Sequence, residues 1–122
     1  MPVRGVRGAT TAEANTSPAI LAATRELLSR LVADNGLAVE DIASAFFTVT
    51  PDITAGFPAA AARQLGWVHA ALMDAVEVPV PGDAPLCVRV LLHVNTEKRQ
   101  DEMVFVYLRG AAALRNNLPP VT

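Results

Sequence analysis

Apolar residues recur along this chain with two different periods, and the change of period marks out its elements. Ile20, Leu21, Thr24, Leu27, Leu28, Leu31 and Val32 fall at the three- and four-residue spacing of one helix face. Ser17-Pro18 supplies a start, with serine as N-cap and proline in the first helical position, and Gly36 is placed to close the element as a left-handed cap. Elsewhere the period is two. Residues 3–10 read as a strand despite Gly5 and Gly8, which permit close approach of a ligand or another backbone, and Arg7 shares a face there with Val3, Gly5 and Ala9. After a short helical turn over 39–42, residues 43–50 read as a second strand, with Phe47 and Val49 on one side and Ser44, Phe46, Thr48 and Thr50 on the other. Short strands are predicted over 67–72 and 77–80, and the longest over 86–95.

Parity on that longest strand separates two faces. Leu86, Val88, Val90, Leu92 and Val94 make one wholly apolar face, whereas Cys87, Arg89, Leu91 and His93 make the other. The first packs into a core; the second must look at a pocket, a partner chain or water, with Arg89 at its middle. Pro58 opens an alanine-rich helix to about Leu65, whose first amides near Phe57 and Ala59 form an expected anion-binding end. The tail over 101–114 mixes β-branched and helix-forming residues and is read as helical, and Arg115 closes an apolar run. The breaks at Asn35-Gly36, Thr50-Pro51-Asp52 and 79–85 are spaced like loops within one unit, so a single domain over 1–122 is expected. Strands interleaved with helices predict an α/β or α+β sandwich, one helical layer over a mixed sheet. The uncovered sheet face then needs another subunit or a ligand site.

Composition narrows the function. Ten Lys+Arg against twelve Asp+Glu leave a net charge of -2, which argues against a nucleic-acid partner. Cys87 is the single cysteine, so no intrachain disulfide forms, and neither an apolar leader after Met1 nor a membrane-spanning run is present; a cytoplasmic setting is expected. His69 and His93 have no serine or cysteine motif around them, no Cys or His pair has metal-ligand spacing, and Arg4-Gly5-Val6-Arg7-Gly8 is neither a P-loop nor a dinucleotide fingerprint. No metal or cofactor is expected.

Nine of the ten basic residues are arginine. Genome bias explains some of that excess, but arginine is also the side chain suited to planar, bidentate recognition of carboxylate or phosphate. Arg7 and Arg89 on strands, with Glu77 and Tyr107 in apolar surroundings, form a set able to bind a small dianion through charge-assisted hydrogen bonds. The competing reading makes Arg7 and Glu77 a subunit salt bridge and leaves Arg89 at a solvated rim.

The run Arg4-Gly5-Val6-Arg7-Gly8-Ala9-Thr10-Thr11 resembles the monofunctional chorismate mutases of the AroH class, and further matches follow in order. They are Thr50-Pro51-Asp52, Phe57-Pro58-Ala59, Ala62-Arg63, Glu77, Cys87-Val88-Arg89-Val90, Thr96 with Gln100-Asp101, Val106-Tyr107-Leu108 and Leu114-Arg115, spanning nearly the whole chain. The resemblance implies a homotrimeric pseudo-α/β-barrel with active sites between subunits, and the Claisen rearrangement of chorismate to prephenate on the route to phenylalanine and tyrosine, a pericyclic isomerisation. By the same resemblance Arg89 would donate to the ether oxygen and hold a carboxylate, Arg7 and Tyr107 would bind carboxylate, and Glu77 would accept from the ring hydroxyl and orient Arg89. Phe57 and Ala59 from a neighbouring subunit would form an apolar wall, Leu72 the floor, and Arg63 and Arg115 the mouth. Two places depart from the family's pattern: Ala60 stands where a basic residue is usual, and Met73-Asp74 where small polar or thiol residues are. Asp74 would repel a dianion if it faced the pocket, or pair with an arginine if it did not. A divergent, non-catalytic trimeric module that binds a small carboxylate is the alternative.

Overall fold

The computed structural model describes residues 1–117, with side chains through Leu114. Five strands, β1 (Val3–Thr11), β2 (Ile42–Val49), β3 (Ala71–Val76), β4 (Cys87–Asn95) and β5 (Val106–Tyr107), form one mixed sheet in the order β3-β2-β4-β1-β5. β4 is antiparallel to both β1 and β2, whereas β3 and β5 run parallel to β2 and β1 at the two edges. Helices α1 (Ser17–Asn35) and α2 (Ala59–Gln64) lie on one face, with 3-10 turns at Val39–Asp41, Gln100–Glu102 and Arg109–Asn117. The expected layering of helices over one face of a mixed sheet is what forms.

The core lies between that face and the helices. Val6, Ala45, Phe47, Val49, Val88, Val90, Leu92 and Val94 from the sheet pack with Ile20, Ala23, Leu27, Leu28 and Leu31 of α1 and with Ala59 and Ala62 of α2. Parity in β4 therefore divides its side chains as the sequence pattern predicts. Gly8 is the position where close approach is demanded: a Cβ there would stand 2.9 Å from the Val106 carbonyl oxygen and 3.0 Å from Cδ1 of both Leu27 and Leu31. At Gly5 the nearest atom would be at an ordinary 3.7 Å, so space does not require glycine there. Gly8→Ala is accordingly expected to cost about 1–3 kcal/mol by overpacking, read as a lower urea midpoint at unchanged slope.

Several element boundaries differ from the pattern-based expectation. The N-cap of α1 is Thr16, not Ser17; its hydroxyl accepts from the Ala19 N–H at 3.3 Å, and Ser17 and Pro18 are already helical. Gly36 closes α1 in the left-handed region as expected, at φ 59°. In place of strands over 67–72 and 77–80 there is one strand, β3, which shares residues 71 and 72 with the first and ends before the second. Gly66 turns the chain at φ 87° and Trp67 buries itself in the core, so extended pairing begins only at Ala71. Beyond Val76 the Glu77 N–H still bonds to the Val49 carbonyl at 2.9 Å, but β2 has ended there and Pro79 has no N–H to continue a ladder. β4 starts at Cys87 because Leu86 has φ 49°.

The region 101–114 is not one helix. The buried Asn35 side chain accepts from the Val104 N–H at 2.7 Å and donates to its carbonyl at 2.9 Å, holding that segment extended so that Val106 and Tyr107 join β1. Positive φ at Arg109, 52°, then separates the strand from the last 3-10 turn.

Candidate active site

The face of the sheet away from the helices carries the polar residues. Register aligns Tyr107, Ala9, Arg89, Thr48 and Ala75 in one row across all five strands, and paired residues in a row point to the same side. Arg7, two residues before Ala9, joins that side. The small Ala9 side chain between Arg89 and Tyr107 leaves a hollow of about 240 Å³ lined by Arg7, Ala9, Arg89, Tyr107 and Leu114. Arg7 is exposed and its guanidinium lies 5.2 Å over the Phe105 ring, a cation–π contact that orients it without consuming its N–H donors.

Arg89 is held from two sides. Its Nε lies 3.3 Å from Glu77 Oε2, an ionic contact without an aligned hydrogen bond, and its Nη2 donates to both oxygens of Asp83 at 2.8 and 3.0 Å. Thr48 Oγ1 donates to Glu77 Oε2 at 3.0 Å, while Glu77 Oε1 is buried and accepts no hydrogen bond among the described residues. Burial pushes the Glu77 carboxyl above its ordinary range; the Thr48 hydrogen bond and the Arg89 charge oppose that shift, and the neighbouring Asp83 adds to it. Cys87, two residues before Arg89, is buried, and burial pushes its thiol up as well, so it remains a thiol rather than a nucleophilic thiolate at neutral pH.

A second group sits at the opposite edge. Phe57 and Met73 are exposed, Arg63 is exposed on α2, and Ala59 is buried at the start of that helix. Leu72 pairs with Ala45 and Asp74 with Phe47, which turns both toward the helical side rather than toward Arg89. Asp74 Oδ1 accepts from the Ala59 N–H at 3.1 Å. The expected anion-binding end of α2 is therefore occupied by this chain's own carboxylate, which substitutes for the side-chain cap that Pro58 cannot provide. Burial pushes the Asp74 carboxyl up, while the Ala59 hydrogen bond and the Arg63 charge oppose the shift. Asp74 thus bonds to a backbone N–H rather than to the arginine expected as its partner, with Arg63 acting on it through charge alone. Phe57 and Asp74, with Val49, Ile53 and Val76, line a separate hollow of about 330 Å³.

The model of the chorismate mutase type I family matches residues 3–118. The chain is 50% identical to a chorismate mutase AroH of Thermus thermophilus over 117 residues, which covers 95% of this chain and 96% of the relative. It is 39% identical over 119 residues to a chorismate mutase AroH of Bacillus subtilis, covering 97% and 94% of the two chains. The chain belongs to the chorismate mutase type I family. A solved chorismate mutase from Clostridium thermocellum superposes with a TM-score of 0.86 at 48% identity, covering 88% of this chain and 96% of that one.

Within this chorismate mutase type I chain, the site residues expected from sequence divide into two sets. Arg7, Glu77, Arg89 and Tyr107 gather around the first hollow or its guanidinium. Phe57, Ala59, Arg63, Leu72, Met73 and Asp74 cluster instead around β3 and α2. β3 lies three strands from β1, about 14 Å across the sheet, and Glu77, just past the end of β3, is the member of the first set that comes from that side. The Arg115 side chain lies outside the described residues. Within the chain Glu77 is engaged by Thr48 and Arg89 rather than by Arg7. Two members of the Arg89 cluster were not singled out by sequence reasoning. Thr48 showed only its face, and Asp83 showed only as one residue of a proline- and glycine-rich turn.

Proposed function

We propose that the protein is an isomerase that converts chorismate to prephenate by an intramolecular Claisen rearrangement, serving phenylalanine and tyrosine biosynthesis. One observation carries the reading beyond family membership: Arg89 sits over the hollow with Glu77 at its Nε and with Arg7 and Tyr107 beside it. The rearrangement breaks an ether C–O bond as a C–C bond forms in one flexible dianion. An enzyme accelerates it by holding the reactive conformer and by stabilising charge on the ether oxygen, and neither task needs a protein nucleophile.

Arg89 donates to that oxygen and to a carboxylate, while Arg7 and Tyr107 bind carboxylate. The orphaned Glu77 Oε1 accepts from the ring hydroxyl, which would satisfy an acceptor the folded chain leaves unpaired. Phe57, Ala59, Arg63, Leu72 and Met73 of an adjacent subunit close the site. Asp74, committed to Ala59, anchors that wall instead of opposing the dianion.

The assembly we infer is a homotrimer. Phe46 and Met73 pair across β2 and β3 on the helix-free face and are 41% and 57% exposed, apolar surface that a neighbouring subunit would cover. We place the enzyme in the cytoplasm, a setting supported by its buried free thiol and by the bacterial relatives; among the described residues no helix is long and apolar enough to cross a membrane. Identities of 50% and 39% to relatives named chorismate mutase disfavour the non-catalytic binding module.

The test is continuous absorbance of chorismate with purified protein and no added metal or cofactor, and prephenate is the expected product. Glu77 must be ionised to accept from the ring hydroxyl and to hold Arg89. Its folded-state pKa is raised, so kcat/KM is full above that pKa and falls as the pH drops through it, with a midpoint above the ordinary glutamate range. Glu77→Gln should remove that acid limb. A stable, well-folded protein that leaves chorismate unchanged overturns the assignment.

A further inference from the structure

Asp83 stands where an incoming carboxylate would bind. Both of its oxygens lie on Arg89 Nη2, at 2.8 and 3.0 Å, the contact a ligand carboxylate would make with the same nitrogen. The segment that carries it, residues 77–86, joins β3 to β4 and is fastened at its ends. The Glu77 N–H bonds to Val49, and the Leu86 N–H to Asp52 Oδ2 at 2.9 Å. Between those anchors Val78 and Val80 are 76% and 59% exposed, and Gly82 takes φ 86° in a turn closed by the Asp83 N–H on the Val80 carbonyl. Among the described residues, the side-chain hydrogen bonds that tie the middle of this loop to the sheet are those of Asp83 to Arg89, beside which Ala84 packs partly buried against Ala9, Cys87 and Ala111. Pro79, Pro81 and Pro85 stiffen the loop without adding hydrogen-bond donors to hold it down.

The charges around Arg89 are unbalanced for a dianion. Glu77 and Asp83 already neutralise its guanidinium, and their proximity is one cause of the raised Glu77 carboxyl. A substrate carboxylate that approached with Asp83 in place would meet two like charges and a saturated nitrogen. We propose that Asp83 is an internal competitor: it keeps Arg89 folded over an otherwise empty site, and the 77–86 loop carries it off the guanidinium when substrate binds. This rests on the reading of Arg89 as the substrate's anchor. The competing state lowers apparent affinity by the fraction of molecules in which Arg89 is free, without touching the chemical step.

The experiment compares wild type with Asp83→Asn and Asp83→Ser. It measures KM and kcat for chorismate, and calorimetric affinity for a rigid bicyclic dicarboxylate ether that cannot react. Removing a partly exposed ion pair of this kind is expected to lower KM and the probe's Kd by about five-fold, with kcat within about two-fold of wild type. Unchanged or raised KM and Kd overturn the proposal, as does a kcat loss near tenfold, which would make Asp83 a positioning residue for Arg89. Thermal melts establish that both variants fold. The two readings fail separately: an inactive wild type refutes the enzymatic assignment, whereas the competitor role is decided by the ratio of variant to wild-type Kd for the unreactive probe.

Discussion

Arg89→Lys is expected to lower kcat by about a thousand-fold while KM changes far less, and Arg89→Ala to lower it at least as much. Loss of one preorganised donor to a developing oxyanion costs about 10²–10³ in rate, and arginine supplies such donors from a rigid planar fork. In this chain the fork is already oriented by Glu77 at its Nε, on a strand whose opposite face is locked into the core through Val88 and Val90. Lysine keeps a cation beside the half-buried Glu77, so it is the cleaner variant; it offers a point charge on a flexible stem that cannot serve both the ether oxygen and a carboxylate. Because the lost interactions strengthen as the C–O bond lengthens, the deficit belongs in kcat. Stopped-flow or steady-state absorbance assays on variants with wild-type melting temperatures decide the matter. A lysine variant within tenfold of wild-type kcat would remove Arg89 from the chemistry.

How Arg89 became visible in the sequence, and Asp83 did not, follows from what period and parity encode. Alternation along β4 separates Arg89 from Val88 and Val90 because a strand's two faces have different solvents, and the burial of the valines agrees. Helix α1 is legible for the same reason, through Leu27, Leu28 and Leu31 at helical spacing and the left-handed glycine at its end. Register carries no such local mark. Nothing in the sequence states that Thr48 stands opposite Arg89, or that Tyr107 stands beside Ala9 in a two-residue strand. That short strand is fixed by the distant Asn35 amide, sixty-nine residues away from Val104 in sequence, so the tail's mixed propensity misleads. The misplacement of the strands around β3 has a similar origin. Trp67 and Glu77 look like strand residues, but one is taken by the core and the other by Thr48 and Arg89. That Leu72 and Asp74 face away from the side that carries Arg89 becomes visible only with the register in hand.

The division of the site residues into two sets yields the sharpest assembly test, and its expected result is recovery of activity from two inactive proteins. Arg89→Ala disables the cluster on the helix-free face, whereas Phe57→Asp places a like charge in the cluster at the β3 edge, at a side chain that is 71% exposed in the isolated subunit. Each variant alone is expected to retain less than about a hundredth of wild-type kcat/KM. In a cyclic trimer with sites between subunits, every site takes one cluster from one chain and the second cluster from the next. A trimer containing both variants then has one junction in three where an unaltered Arg89 meets an unaltered Phe57. Random mixing at equal amounts puts both variants into about three-quarters of trimers, so about a quarter of wild-type activity should return. Co-expression with two affinity tags and purification of the doubly tagged species should raise this to about a third. Sites contained within single subunits cannot recover at all, because each chain carries one disabled cluster. Sedimentation of each variant and of the hybrid shows whether the assembly is intact, so loss of assembly and loss of shared sites give different results. Hybrid trimers without activity would confine both clusters of each site to one chain and overturn the shared-site assembly.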